Sequence, residues 1–112
     1  AGIVGFYASG RTYADFFAFH GFADDQARVI DAFKSGEVTA QKLGDVVSDA
    51  MVDTLTIAGT PDDVAARLAA YDGVVDSVKL SPPTHGLDAD EIRASQKAVI
   101  ALIADLSGRA GR

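Results

Sequence analysis

The 112-residue sequence predicts an α/β segment that is predominantly helical, with one clear strand at about residues 74–80. Two observations carry this expectation. Apolar residues recur at helical spacing through most of the chain, preceded by capping residues and followed by glycines. One β-branched run, "VVDSVKL", has strand character and ends at Pro82 and Pro83, which cannot donate to a ladder. A single strand cannot satisfy its own backbone, so its partner must lie in residues 1–10, in another chain, or in sequence beyond these residues.

The opening "AGIVGFYASG" is ambiguous between a strand and a helix tail, because its apolar residues run continuously and Gly2, Gly5 and Gly10 weaken either assignment. In "RTYADFFAFHG", Thr12 is placed to cap a short aromatic helix over Tyr13, Phe16, Phe17 and His20, with Gly21 at its end. "FADDQARVIDAFKSG" puts Phe22, Gln26, Val29, Ile30 and Phe33 on one stripe. Asp24 and Asp25 lie at its positive end, Lys34 at its negative end, and Gly36 terminates it. Thr39 then caps a segment with Leu43, Val46 and Val47 inward, and Ser48 caps a turn carrying Met51, Val52 and Leu55.

Thr60 is an N-cap, Pro61 suits the first helical position, and Asp62 and Asp63 favour the positive dipole end. Val64, Leu68 and Tyr71 form the expected buried face, and Gly73 the stop. After the proline loop, Asp88 with Glu91 three residues on resembles a capping box. Ile92, Val99, Leu102, Ile103 and Leu106 face inward from a last helix over Asp88 to Leu106, with Gly108 closing it and "RAGR" as a frayed tail. No repeat or linker interrupts this order, so the chain reads as one segment. It has a helical region over 1–59 and a helix–strand–helix region over 60–107.

Composition excludes several functions. The net charge of −6 and the scatter of ten Lys and Arg argue against a nucleic-acid partner. No apolar run approaches the roughly 20 residues that span a bilayer, so no membrane partner is expected. There are no cysteines and no signal-peptide pattern, which makes the cytoplasm the expected location. Fourteen of the sixteen carboxylates are Asp and only four residues are Lys, a surface kept soluble by charge repulsion, as in a high-salt, halophilic cytoplasm. With Ala1 in place of methionine, a processed or excised chain is expected.

No constellation of catalytic residues stands out. Gly59-Thr60-Pro61 could bind an anion at a helix start, but Pro61 removes a donor and capping explains the pattern. Neither His20 nor His85 has metal-ligand spacing, and none of the residues suggests a bound metal. His20, beside Gly21, fits a helix C-terminus. His85 lies in "SPPTHG" directly after the expected strand, where βα loops carry functional groups; Ser81, Thr84 and His85 are therefore the candidate site, with a plain turn as the competing reading. The Asp pairs Asp24/Asp25 and Asp62/Asp63 read as dipole partners. Phe16, Phe17 and Phe19 read as core or interface, and Arg11 as a surface cation or an anion contact.

The order "VGFYASGRTYADFFAFHGFADDQARVIDAFKSG", "VVSDAMVDTLTIAGTPDDVAARLAAY" and a short strand resembles the C-terminal part of the luciferase-like flavin and deazaflavin oxidoreductases. It is most similar to the deazaflavin-dependent branch that includes methylenetetrahydromethanopterin reductase. The likeness covers Gly5 to Leu106, and its most specific element is "VSDAMVDTLTIAGTPDDVAARL". Where the family commonly has an Ala-Gly-Val turn before its last strand, this chain has Asp72 before Gly73.

The resemblance implies a TIM-type (βα) barrel, with Val74 to Leu80 as its last strand and Asp88 to Leu106 as its closing helix. It implies a full-length parent that uses the deazaflavin coenzyme F-420, or alternatively FMN, to act on a small-molecule substrate. The family holds its cofactor mainly through the preceding two-thirds of the barrel. This portion alone is therefore expected to bind no cofactor and to be inactive, and no catalytic residue is carried over. Ser81, Thr84 and His85 would be cofactor-binding only by their place at the rim. An exposed strand edge predicts a homo-oligomer. Alternatives are an FMN-dependent luciferase-like monooxygenase and a non-catalytic helical interaction or dimerisation domain whose binding face is the Phe-rich helix.

Overall fold

In the computed structural model, which describes residues 1–110, the chain is predominantly helical and contains no β-strand among the described residues. It divides into two compact units, Ala1–Thr56 with Pro83–Leu87, and Ile57–Pro82 with Asp88–Arg112.

In the first unit the ambiguous opening is a helix, α1 (Gly2–Ala8), with Val4, Gly5 and Ala8 buried. Its glycines are used for approach: a Cβ on Gly5 would lie 2.8 Å from the carbonyl carbon and oxygen of Leu43, so only a bare backbone lets α1 press against that residue. Arg11–Tyr13 forms a 3₁₀ turn leading into α2 (Ala14–Phe19), and Thr12, expected as a cap, lies inside that turn. α3 (Ala23–Lys34) follows, with Asp24 and Asp25 in its first turn and Lys34 in its last, matching the dipole. Gly21 and Gly36 leave α2 and α3 at φ 82° and 80°, a region costly for residues with a Cβ.

The buried residues of α3 are Gln26, Val29 and Ala32, whereas Phe33, placed on the inward stripe by periodicity, is exposed. Ala40–Val46 is a 3₁₀ segment. Thr39 holds its N-cap place with extended backbone and makes no side-chain capping bond. α4 (Asp49–Leu55) is capped by Ser48, whose hydroxyl accepts the Met51 N–H at 3.2 Å. Val4, Ala8, Phe17, Phe22, Val29, Leu43 and Met51 form the core, with Ile3, Val38, Val46, Val47 and Leu55 packed against it. The Gln26 side chain, also buried, donates to the Gly10 carbonyl at 2.9 Å and so meets the hydrogen-bonding demand of a buried amide.

The second unit holds α5 (Pro61–Leu68), a 3₁₀ turn over Ala69–Tyr71 and the 22-residue α6 (Ala89–Ala110). Both helices begin with reciprocal caps. Thr60 N–H donates to the Asp63 carboxylate at 2.9 Å while Asp63 N–H donates to the Thr60 hydroxyl at 3.2 Å. Asp88 N–H donates to Glu91 and Glu91 N–H to Asp88, each at 2.9 Å. Val64 is buried and Leu68 half-buried, but Tyr71 and Ile103, expected inside, are exposed. α6 continues through Gly108, so that glycine does not close it. Arg109 and Ala110 extend the helix, and the rest of the expected frayed tail, Gly111 and Arg112, lies outside the described residues. Arg109 bridges the unit's two helices, donating to Asp62 at 2.6 Å and to Asp105 at 2.7 Å. Those bonds, the one to Asp62 first, hold its guanidinium pKa above the ordinary arginine value.

The expected strand is not formed: residues 74–80 carry turn, bend and irregular backbone. Among the described residues, no backbone N–H from residue 76 to residue 87 donates to another backbone group. β-branched side chains favour extended backbone, but a strand exists only as a member of a ladder, and neither residues 1–10, now helical, nor any other described segment supplies one. Val74, Val75 and Val78 are accordingly exposed.

The α5 cap titrates. The Asp63 carboxyl is held below its ordinary value of 3.8, first by the bond it accepts from the Thr60 N–H and then by that from the Thr60 hydroxyl. A depressed folded-state pKa contributes stability above the ordinary value and loses it as pH falls through the lowered one. Helical content should therefore decline as pH drops below 3.8, and Asp63→Asn should flatten that part of the profile. Identical acid titrations of the two proteins by circular dichroism would refute the role.

Candidate functional site

The residues marked by sequence, Ser81, Thr84 and His85, do not fall in one unit. Ser81 belongs to the second and is exposed, whereas Thr84 and His85 belong to the first. The segment 83–87 is seated by close backbone approaches. A Cβ on Gly2 would collide with the His85 carbonyl oxygen, and one on Gly86 would lie 2.7 Å from that of Gln41. This seating lays the His85 ring parallel to Phe6 of α1, with centroids 4.2 Å apart and planes 8° apart. One face of the imidazole is thereby committed to packing.

His85 begins a chain of aromatic contacts. Phe6 meets Tyr7 at 5.6 Å, and Tyr7 meets Tyr13 edge-to-face at 4.9 Å. On α2, Phe16 contacts Phe17 at 5.5 Å and His20 at 4.8 Å, while Phe19 contacts His20 at 5.0 Å. His20 therefore sits at the end of α2 among rings, as its neighbour Gly21 foretold. The three phenylalanines of α2 divide their roles: Phe17 is in the core, and Phe16 and Phe19 are exposed.

Beside these rings the first unit has a recess of about 370 Å³, walled by Tyr7, Tyr13, Phe16 and Phe17 together with Ile3 and Leu55. Sequence reasoning places Tyr13 on the aromatic helix but marks neither it nor Tyr7 as a site residue. The available signal was the density of aromatics between residues 6 and 19. A second, polar recess of about 340 Å³ includes Arg28, Glu37, Asp45 and Ser48. Arg28 pairs with Asp25 at 2.9 Å, so its charge is already engaged, and Glu37 and Asp45 leave this recess with an excess of carboxylates. Arg11 lies exposed at the start of its 3₁₀ turn.

The donor set at residues 81–85 can be tested against a deazaflavin. It offers two hydroxyls and one imidazole, with no cation for the cofactor's acidic tail, and within a unit these come as Ser81 alone and as Thr84 with His85. These three side chains are too few to cradle the group, whose principal contacts would have to come from outside the set. Among the described residues no cluster of three or more His, Asp or Glu side chains is placed to hold a metal ion. No helix among them is long and apolar enough to cross a membrane. Comparison with known proteins gave no match to a family model, to a curated protein or to a solved structure.

Proposed function

We propose that the chain is the C-terminal part of a luciferase-like oxidoreductase whose full-length parent transfers hydride between the deazaflavin coenzyme F-420 and a methylenetetrahydromethanopterin-like small molecule. The portion described is itself inactive. The observation that carries the reading is the run from Val47 to Leu68, "VSDAMVDTLTIAGTPDDVAARL", with its Ser48 cap and Thr60–Asp63 capping box flanking two short helices. The unpaired β-branched residues 74–80 agree with it, since in a barrel their ladder partners would be strands contributed by the remainder of the parent. In that parent the deazaflavin supplies the hydride chemistry. This chain's residues close the barrel and contribute the rim segment holding Ser81, Thr84 and His85. The parent is read as a cytoplasmic homo-oligomer with neither nucleic acid nor membrane as partner, consistent with the net charge of −6.

The test compares this chain with the full product of its gene by titrating each into coenzyme F-420 and into FMN and recording absorbance. The reading expects a perturbed deazaflavin spectrum, and hydride transfer to a methylene-pterin substrate, with the full product alone. A full product that perturbs only the FMN spectrum moves the parent to the monooxygenases. A product that binds neither abandons oxidoreduction.

A second reading, a helical interaction or dimerisation module, is favoured by the exposure of Phe6, Tyr13, Phe16 and Phe19 on one stretch of the first unit. It expects this chain alone to melt cooperatively as a monomer, with a midpoint independent of its concentration, whereas a barrel portion should be oligomeric or loosely packed.

A further inference from the structure

The aromatic recess of the first unit has the features of a small-molecule site, and they are independent of the reductase reading. Its volume of about 370 Å³ lies within the roughly 300–1,000 Å³ of ligand sites in proteins. Its floor is formed by Val4 and Phe17, which belong to the packed core. Its rim is built from Tyr7, Tyr13 and Phe16, each exposing nearly half its surface, and the contacts between rings fix the planes they present.

Every described residue lining the recess is uncharged, in a chain of net charge −6. Transfer of an anion into such a wall would go uncompensated, and the anion would in addition be repelled by the surrounding surface. The hydroxyl of Thr56, a lining residue, donates to the Val52 carbonyl at 2.6 Å, so toward a ligand it can only accept. The concave wall is a small fraction of the roughly 800 Å² that each partner gives to a stable protein interface, which favours a compact ligand over a second copy of the chain.

We propose that this recess binds a flat, uncharged aromatic ring compound carrying a hydrogen-bond donor, held by ring contacts with Tyr7, Tyr13 and Phe16. The chemistry is that of an indole or a similarly fused heterocycle.

The test titrates the whole chain with indole and follows amide and aromatic correlation spectra. Saturable shifts should be confined to the residues of the recess, and benzoate, of similar size but anionic, should give none at the same concentrations. Tyr13→Ala and Phe16→Ala should each weaken indole about fivefold, the loss of one ring contact. Phe19→Ala, at a ring 85% exposed and outside the recess, should leave binding unchanged. If the alanine forms lose their dispersed spectra, Tyr13→Leu and Phe16→Leu keep apolar bulk while removing the ring faces and should show the same loss. The proposal is overturned by shifts that grow linearly without saturating, by an equal effect of Phe19→Ala, by equal binding of benzoate, or by shifts of the recess residues with protein concentration alone, which would make the surface a contact between copies.

Discussion

Phe17→Ala should lower the stability of the first unit by about 3–5 kcal/mol, the usual cost of deleting a buried aromatic ring and leaving its cavity. Phe17 is 1% exposed, is among the largest fully buried side chains and belongs to the cluster that joins α1, α3, α4 and the 3₁₀ segment 40–46. A unit of about 60 residues has on the order of 3–9 kcal/mol in all, at roughly 0.05–0.15 kcal/mol per residue. The substitution therefore removes most of it, and the variant should show no folded baseline in urea. Phe19→Ala, two positions along the same "FFAF" run, should stay within about 0.5 kcal/mol of the parent, because that ring is 85% exposed. Equal urea midpoints for the two variants would show that the core is not where the structure puts it.

Gly5→Ala is expected to destabilise by about 1–3 kcal/mol, although alanine is the better helix former. The added methyl would sit 2.8 Å from the Leu43 carbonyl carbon and oxygen, and backbone atoms cannot rotate aside as a side chain would. α1 must then lift from the 3₁₀ segment it packs on. Gly108→Ala in α6 is the control, since no described neighbour lies within 4 Å of the new methyl. There the propensity gain, up to about 1 kcal/mol, should act alone. The two variants should shift the thermal midpoint in opposite directions, and a shift of the same sign would contradict the close packing at Gly5.

What was legible in the sequence was local. Ser48, Thr60 and Asp88 were marked as caps because each cap and its target amide lie within a few residues, and all three make those bonds. Thr39 shows the limit: it has the right position and backbone, yet its hydroxyl makes no capping bond. Residues 74–80 failed for a different reason, since β-branching records a preference that only a distant partner can realise. Phe33 and Tyr71 were placed inside by a period that counts faces of a helix but not whether anything covers them.

The candidate site was the least legible. His85 was singled out for following the expected strand, but its environment is set by Phe6, near the other end of the chain, and no spacing rule connects the two. Tyr7 and Tyr13 line the recess from either side of the turn between α1 and α2, a juxtaposition that periodicity does not encode.

The return of residues 83–87 to the first unit bears on the order in which the protein can be made. During synthesis the helices of residues 1–56 emerge early and can collapse on Phe17 and Met51. Their covering by His85 and Gly86 waits until the whole α5 region has left the ribosome. Phe6 therefore stays without its stacking partner until residues 83–87 have followed it out, and closing the stack requires a loop running from residue 6 to residue 85, a slow event beside helix formation. A nascent chain stalled before Pro83 would leave open to chaperones the ring face that His85 covers, and one released after Leu87 would not.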